Sequence, residues 1–316
     1  MKFMYKLTFA LVFMLAMFLP ALAQRPSDQV PSSILVFNLY ASSITDPSQK
    51  DTSFSITNVN TQQAAYVHLF LINEGCSTAD AFLCLTGNQT VSFRASEVDP
   101  GVTGYAIAIA SDGVTGCPIS FNDLIGSAYV KLDSGHAAQL PAEGYSALFE
   151  GAVPGCTNTS VLANIALDGN QYSPAGRMLA VDKIPSAVDG NSTLLVVNSL
   201  EGNLAIGISI IGTLEGTIFD DVENGLQFTK AGSCQFRSVL SNSFPLTVPT
   251  FQTFIPAGRS GWMKFRTQQD KAISGAVINF NPGAGSATAG FNGGHNLHVL
   301  RRTSGNLIVP IFPPNC

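Results

Sequence analysis

The sequence predicts an all-β protein: two tandem β-sandwich domains, immunoglobulin-like or jelly-roll-like, following a signal peptide. Three observations carry this. The chain holds many short runs rich in Val, Ile, Phe and Thr. Turn signals such as Asp99-Pro100-Gly101, Asp112-Gly113, Asp168-Gly169-Asn170, Asp189-Gly190-Asn191 and Asn292-Gly293-Gly294 punctuate them. Helical periodicity is almost absent, and short strands at this spacing build sandwiches or barrels.

The first element in order is not part of the fold. Lys2 and Lys6 open the chain, Leu7 to Leu19 is a 13-residue run without charge, and Pro20 precedes the small-x-small box Ala21-Leu22-Ala23. A basic start, a short apolar run and such a box make a secretory signal peptide, here residues 1–23, and the run is too short for an ordinary membrane span. The first strands follow at Ile34 to Tyr40, Ser53 to Asn58, Ala65 to Asn73, Thr90 to Arg94, Gly104 to Ala110 and Ala128 to Leu132. Thr193 to Asn198, Leu204 to Ile211, Trp262 to Arg266, Ala276 to Phe280 and Leu307 to Phe312 continue the series. Segment 134–180 has no comparable pattern.

An internal echo suggests how these strands group. Phe93-Arg94, Thr103-Gly104, Ile107 and Ile109 are matched by Phe265-Arg266, Ser274-Gly275, Ile278 and Phe280. Each set reads as a strand, a connection and a second strand, the same corner of two related sandwiches. Pro185 and Asp189-Gly190 mark the boundary, giving domains at 24–188 and 189–316. In Tyr105 to Ala110 and again in Leu204 to Ile210, large and small residues alternate, so strand geometry sends them to opposite faces. The large set is expected between the sheets. The small set is expected outside, covered by segment 134–180, by the other domain, or by a partner.

All six cysteines, Cys76, Cys84, Cys117, Cys156, Cys234 and Cys316, follow the signal peptide. An even number in an exported chain reads as disulfides, with 15 connectivities open. Proximity along the chain favours Cys76–Cys84, Cys117–Cys156 and Cys234–Cys316. Localisation is therefore expected to be secreted, extracellular or cell-surface, with the periplasm as the bacterial variant.

Composition excludes several function classes. Charged residues are only 12% of the chain against 46% hydrophobic, so it is not a disordered chain. A net charge of −5, spread thinly, argues against nucleic-acid partners, which need a concentrated basic surface. The longest later apolar stretch, Leu204 to Leu214, is too short and too rich in glycine to be an integral membrane helix.

Motifs for chemistry are sparse. No G-x-S-x-G, H-E-x-x-H, phosphate-binding loop or EF-hand loop is present. Asp220, Asp221 and Glu223, with Asn224, are the densest oxygen cluster and the calcium candidates; no other cofactor is indicated. His295 and His298 form an H-x-x-H pair, but residues three apart on one strand face opposite ways, so a shared ligand needs a turn between them. His68, between Val67 and Leu69, reads as an outward polar position. Trp262 is the candidate for stacking on a sugar. Asn88, Asn158 and Asn191 stand in N-glycosylation patterns. No residue is identified as catalytic. The reading is a non-catalytic extracellular structural, adhesive or interaction protein whose partner is a second copy, another extracellular protein or a polysaccharide. The alternative is a secreted carbohydrate-active protein, either a sugar-binding module or a glycoside hydrolase with an acidic pair in a cleft.

Overall fold

A computed structural model describes residues 30–284 and 291–315. Segment 1–23, expected to be a signal peptide, and Cys316 lie outside the described residues. Within the described residues, twenty-two strands succeed one another. The first nine are β1 (Ile34–Ala41), β2 (Asp51–Asn58), β3 (Ala65–Asn73), β4 (Thr78–Leu85), β5 (Thr90–Arg94), β6 (Thr103–Ser111), β7 (Leu124–Lys131), β8 (Ala137–Pro141) and β9 (Glu143–Tyr145). Then come β10 (Leu162–Leu167), β11 (Ala175–Pro185), β12 (Ser192–Ser199), β13 (Gly202–Asn203), β14 (Gly207–Ile208), β15 (Gly212–Asp220) and β16 (Gly225–Gly232). The last are β17 (Gln235–Val239), β18 (Ser260–Thr267), β19 (Ile273–Phe280), β20 (Gly293–Asn296), β21 (His298–Thr303) and β22 (Gly305–Pro310). Helix among the described residues is confined to single turns, Ala95–Val98 and Phe251–Phe254, and a 3-10 turn at Ala187–Asp189. The protein is all-β.

The first half is a sandwich with a third layer added. Sheet β4-β3-β6-β1-β9 faces sheet β5-β2-β7-β8 across a core containing Leu35, Phe37, Phe54, Ile56, Leu69 and Val130. Strand β6 is buried on both sides. Ala106, Ala108 and Ala110 face that core, where their small side chains leave room for Phe37 and Phe54. Tyr105, Ile107 and Ile109 face the other way, onto Ala163, Ile165, Leu307 and Val309 of the small sheet β10-β22-β13-β14. The faces are thus the reverse of the sequence expectation: the alanines line the space between the sandwich sheets, and the large residues meet the extra layer. Both faces have intramolecular cover.

The second half curls one sheet around its own core. The order β16-β15-β18-β11-β19-β12-β17 continues through β20 on β19 and β21 on β11. Phe228 near one edge and Phe236 near the other belong to a single cluster with Leu179, Val197, Met263 and Phe265. The ring of Phe244 closes the curl, lying edge-on 5.6 Å from Phe228 and 5.0 Å from Phe236.

Pairing and packing cross residue 188. Strands β10 and β11 precede it, yet they pair with β22 and with β18 and β21. Leu194, Val196, Ala276 and Ile278 of the curled sheet join the core of the first sandwich. A buried amide chain runs across the same contact. The pairing of β1 with β6 shifts register between Phe37 and Tyr40. Within that irregularity Asn38 donates from Nδ2 to Asn296 Oδ1 at 2.9 Å. Asn198 Nδ2 donates to the Asn38 carbonyl at 2.8 Å, and Gln235 Nε2 to Asn198 Oδ1 at 2.9 Å. The amide groups paired in this way avoid the desolvation penalty that orphaned ones incur, whereas Gln235 Oε1 is buried without a hydrogen-bond partner among the described residues.

Other sequence expectations change. Phe93 lies on β5, the edge of the four-stranded sheet, whereas Phe265 lies on β18, between β15 and β11. The strands occupy different places, so the echo does not mark a shared corner. Leu204 to Ile211 is not one strand. Residues 204–206 form the turn between the two-residue strands β13 and β14, only Gly207–Ile208 of the segment is strand, and Ile206 is 86% exposed. Segment 134–180 contains β8, β9, β10 and the start of β11. Cys117 pairs with Cys156, but Cys76 pairs with Cys234 and not with Cys84. Sequence proximity misjudged this pair because the fold brings the β3–β4 turn against the residues leading into β17. Cys234 is thereby unavailable to Cys316, and Cys84 is itself disulfide-bonded.

Candidate functional site

The functional candidates gather on the curled sheet. Along β18 the burial alternates, with Gly261, Met263 and Phe265 inward and Trp262, Lys264 and Arg266 half-exposed. Phe219 on β15 is the cross-strand partner of Trp262, and the two rings stack at 4.3 Å with their planes 10° apart. Lys264 Nζ sits 5.3 Å from the Phe219 ring and 5.9 Å from the Trp262 ring, within cation–π range. Each ring thus covers one face of the other.

Beside this stack lies a cavity of about 300 Å³ floored by Gly216, with Glu215, Thr217, Gln227, Lys264 and Arg266 on its walls. Its acid is already engaged: Arg266 Nε donates to Glu215 Oε1 at 2.9 Å, and the same guanidinium reaches Asp270. The trough is mixed, with hydroxyl, amide and paired ionic groups beside the apolar Met178, Phe228 and Phe265.

The calcium candidates form the tip of the β15–β16 hairpin, where the oxygens of Asp220 are committed to the turn and those of Asp221 to a salt bridge. Asp220 Oδ1 accepts from the amides of Val222 at 3.0 Å and Asn224 at 2.8 Å, and Oδ2 from Asn224 Nδ2 at 2.8 Å. The Asn224 side chain leads in holding the Asp220 carboxyl below its ordinary range. Asp221 is paired with Arg259, whose guanidinium lowers that carboxyl in the same direction. Glu223 is exposed in the left-handed region, at φ 70°. The turn accounts for Asp220 and the Arg259 pair for Asp221.

The histidines divide into two kinds. His68 is buried, not outward. Its ring lies 4.0 Å from Phe70 and 4.2 Å from Phe82, and Nε2 meets Asp80 Oδ2 at 2.9 Å. Burial pushes its pKa down against the opposing pull of Asp80. His136 is buried too, between Ser134 Oγ at 2.9 Å and the Ser192 carbonyl at 2.8 Å, with its pKa lowered by desolvation.

His295 and His298 remain accessible, and they converge. Residues 293–303 change partner midway: β20 pairs with β19, Leu297 donates its amide to Gly275, and β21 pairs with β11. That break between the strands supplies the turn the H-x-x-H pair needs. The ring centroids stand 5.6 Å apart. The third member, Asp182, comes from β11, where the pairing with β18 shifts register between Val181 and Ile184. Its Oδ1 is 3.2 Å from His295 Nε2 and its Oδ2 is 3.5 Å from His298 Nε2. Sequence reasoning found the histidines and missed the aspartate, which is more than one hundred positions away. Only the bulge, invisible in composition, turns it toward them.

Asn191 is buried, with Nδ2 bonded to the Ser186 carbonyl, so the folded chain withholds that glycosylation pattern; Asn88 and Asn158 are exposed.

No family model matches the sequence, and no curated protein matches it. Among solved structures, Thermotoga maritima 1070 is similar at 13% identity, TM-score 0.28, over 38% of this chain and 97% of that one. The major pilin from Streptococcus pyogenes is similar at 8% identity, TM-score 0.21, over 89% and 100%. A single-substitution variant of oxalate decarboxylase from Bacillus subtilis follows at 9% identity, TM-score 0.18, over 79% and 66%. Overlaps at these scores carry no functional argument.

Proposed function

We propose that this chain is an exported, disulfide-locked β protein with a non-catalytic structural, adhesive or interaction role. The observation that carries the reading is the Cys76–Cys234 bond, which joins residues 158 apart and clamps the first sandwich to the curled sheet. Structural disulfides of this kind persist in oxidising compartments. The acids at the trough and hairpin tip support the non-catalytic part, because Glu215, Asp220 and Asp221 are held by Arg266, Asn224 and Arg259.

The test is made on protein recovered from its native source. The extracellular or envelope fraction should contain a chain starting near Gln24 without alkylatable thiols, and sedimentation or adhesion to extracellular matrices should reveal a partner. A reduced protein in the cytosolic fraction would overturn the reading.

A second reading follows from the trough. A stacked aromatic pair beside hydroxyl and amide groups suits a polysaccharide chain. Retention on insoluble polysaccharides that is lost in Trp262→Ala would favour it, and equal retention of both forms would remove it.

A further inference from the structure

We propose that Asp182, His295 and His298 form a binding site for a divalent transition-metal ion, with zinc the ion of choice. Their ligand atoms all lie within 4.8 Å of one another. Bonds of ~2.0–2.1 Å in a tetrahedral shell put neighbouring ligand atoms roughly 3.3 Å apart. Asp182 Oδ1 stands 3.2 Å from His295 Nε2 and its Oδ2 3.5 Å from His298 Nε2, so one oxygen of the carboxylate is already at ligand spacing from each ring. Two imidazoles and a carboxylate select borderline first-row ions over calcium or magnesium, which take oxygen ligands.

The hydrogen bonding of His295 adds an independent argument. Its Nδ1 lies 2.8 Å from the Asn296 carbonyl, which can only accept, so Nδ1 carries a proton. In the neutral ring Nε2 then presents a lone pair to the Asp182 carboxylate, which also only accepts. A cation between them turns that opposition into coordination. Fixing the tautomer through Nδ1 and a backbone carbonyl is how metal-ligating histidines are oriented. A doubly protonated ring is the competing arrangement, and it needs no metal.

The site is open and uncontested. The side chains of Asp182, His295 and His298 are 56%, 38% and 56% exposed, so an ion can enter and a fourth position faces solvent. The other two histidines are buried on partners of their own, and no cysteine among the described residues is free. Bound metal would tie β11, β20 and β21 together where the strand changes neighbours.

The purified full chain, stripped with chelator, is titrated with zinc chloride by calorimetry. One equivalent should bind saturably. Affinity should fall by at least ~10-fold in His295→Ala, His298→Ala and Asp182→Asn, the scale on which even supporting residues of metal sites act. Zinc should raise the melting temperature of the wild type and leave that of His295→Ala unchanged. The variants' melting temperatures without metal confirm that they are folded. Cobalt(II) should give tetrahedral d–d absorption that His298→Ala abolishes. No saturable binding, or binding indifferent to all three substitutions in folded protein, would overturn the site and leave a plain histidine–aspartate ion pair.

Discussion

His136 shows how one buried side chain makes the fold sensitive to acid. Neutral, with Nε2–H donating to the Ser192 carbonyl and Nδ1 accepting from Ser134, the ring is fully satisfied. Desolvation lowers its pKa, and that of His68, in the folded state. The unfolded chain therefore takes up protons first as pH falls through about 6.5, so stability is complete above that range and declines on acidification toward the folded values. Melting temperature should drop between about pH 7.5 and 5, and His136→Gln, which keeps a donor for Ser192, should flatten the decline. An unaltered slope in that variant would exclude His136 as the source. Gly104 illustrates a steric constraint at the same scale. A Cβ there would stand 1.9 Å from the carbonyl oxygen of Ile72 on the paired strand. Backbone cannot yield as a side-chain tip does, so Gly104→Ala should cost about 3 kcal/mol in urea unfolding.

Strand β6 and the β13–β14 segment share one sequence pattern, and the fold treats them differently. Ala108 is fully buried against the sandwich core, so Ala108→Lys places an unpaired charge among Phe37 and Phe54 and should abolish folding or cost more than about 3 kcal/mol. Ser209 is exposed just after β14, so Ser209→Lys should leave the melting temperature within experimental error. Equal damage in the two variants would contradict the assignment of their faces. These elements also show what was legible. Short runs rich in Val, Ile, Phe and Thr between turn residues located β3 and β5 to the residue, and β1, β2, β6 and β7 to within a few positions, because strands packed in a core draw on those residue types. The curled sheet's β15 and β16 were hidden, since threonine, glycine and charge dominate their outward faces. In Leu204 to Ile211 alternation was real but the glycines at 202, 207 and 212, all at positive φ, prevented a continuous ladder. The site divided similarly: the H-x-x-H pair and Trp262 stood out as residue types, whereas Asp182 and Phe219 depend on register, which a linear reading does not contain.

At the scale of the molecule, the disulfide between Cys76 and Cys234 closes the longest loop described. Constraining an unfolded chain over 158 residues is worth about 5 kcal/mol in the loop-entropy account, against about 4 for the shorter Cys117–Cys156 loop. Replacing both Cys76 and Cys234 with alanine should lower denaturant stability by about 2–5 kcal/mol. Limited proteolysis should then cut first near the contact between the two halves; unchanged stability would mean that the shared core and the Asn38–Asn198–Gln235 chain hold it without the disulfide. Strand β22 has a different consequence. It lies in the middle of its small sheet, antiparallel to β10 and parallel to β13, and it covers Ile107 and Ile109. The layer over the first sandwich therefore cannot close before residues 305–310 have been made. Until residues 305–310 have left the ribosome, that apolar face stands open, and the nascent chain must be kept from aggregating by something other than its own fold. On the proposed export route such a chain reaches its channel still unfolded, and its two halves mature together on the far side rather than one after the other.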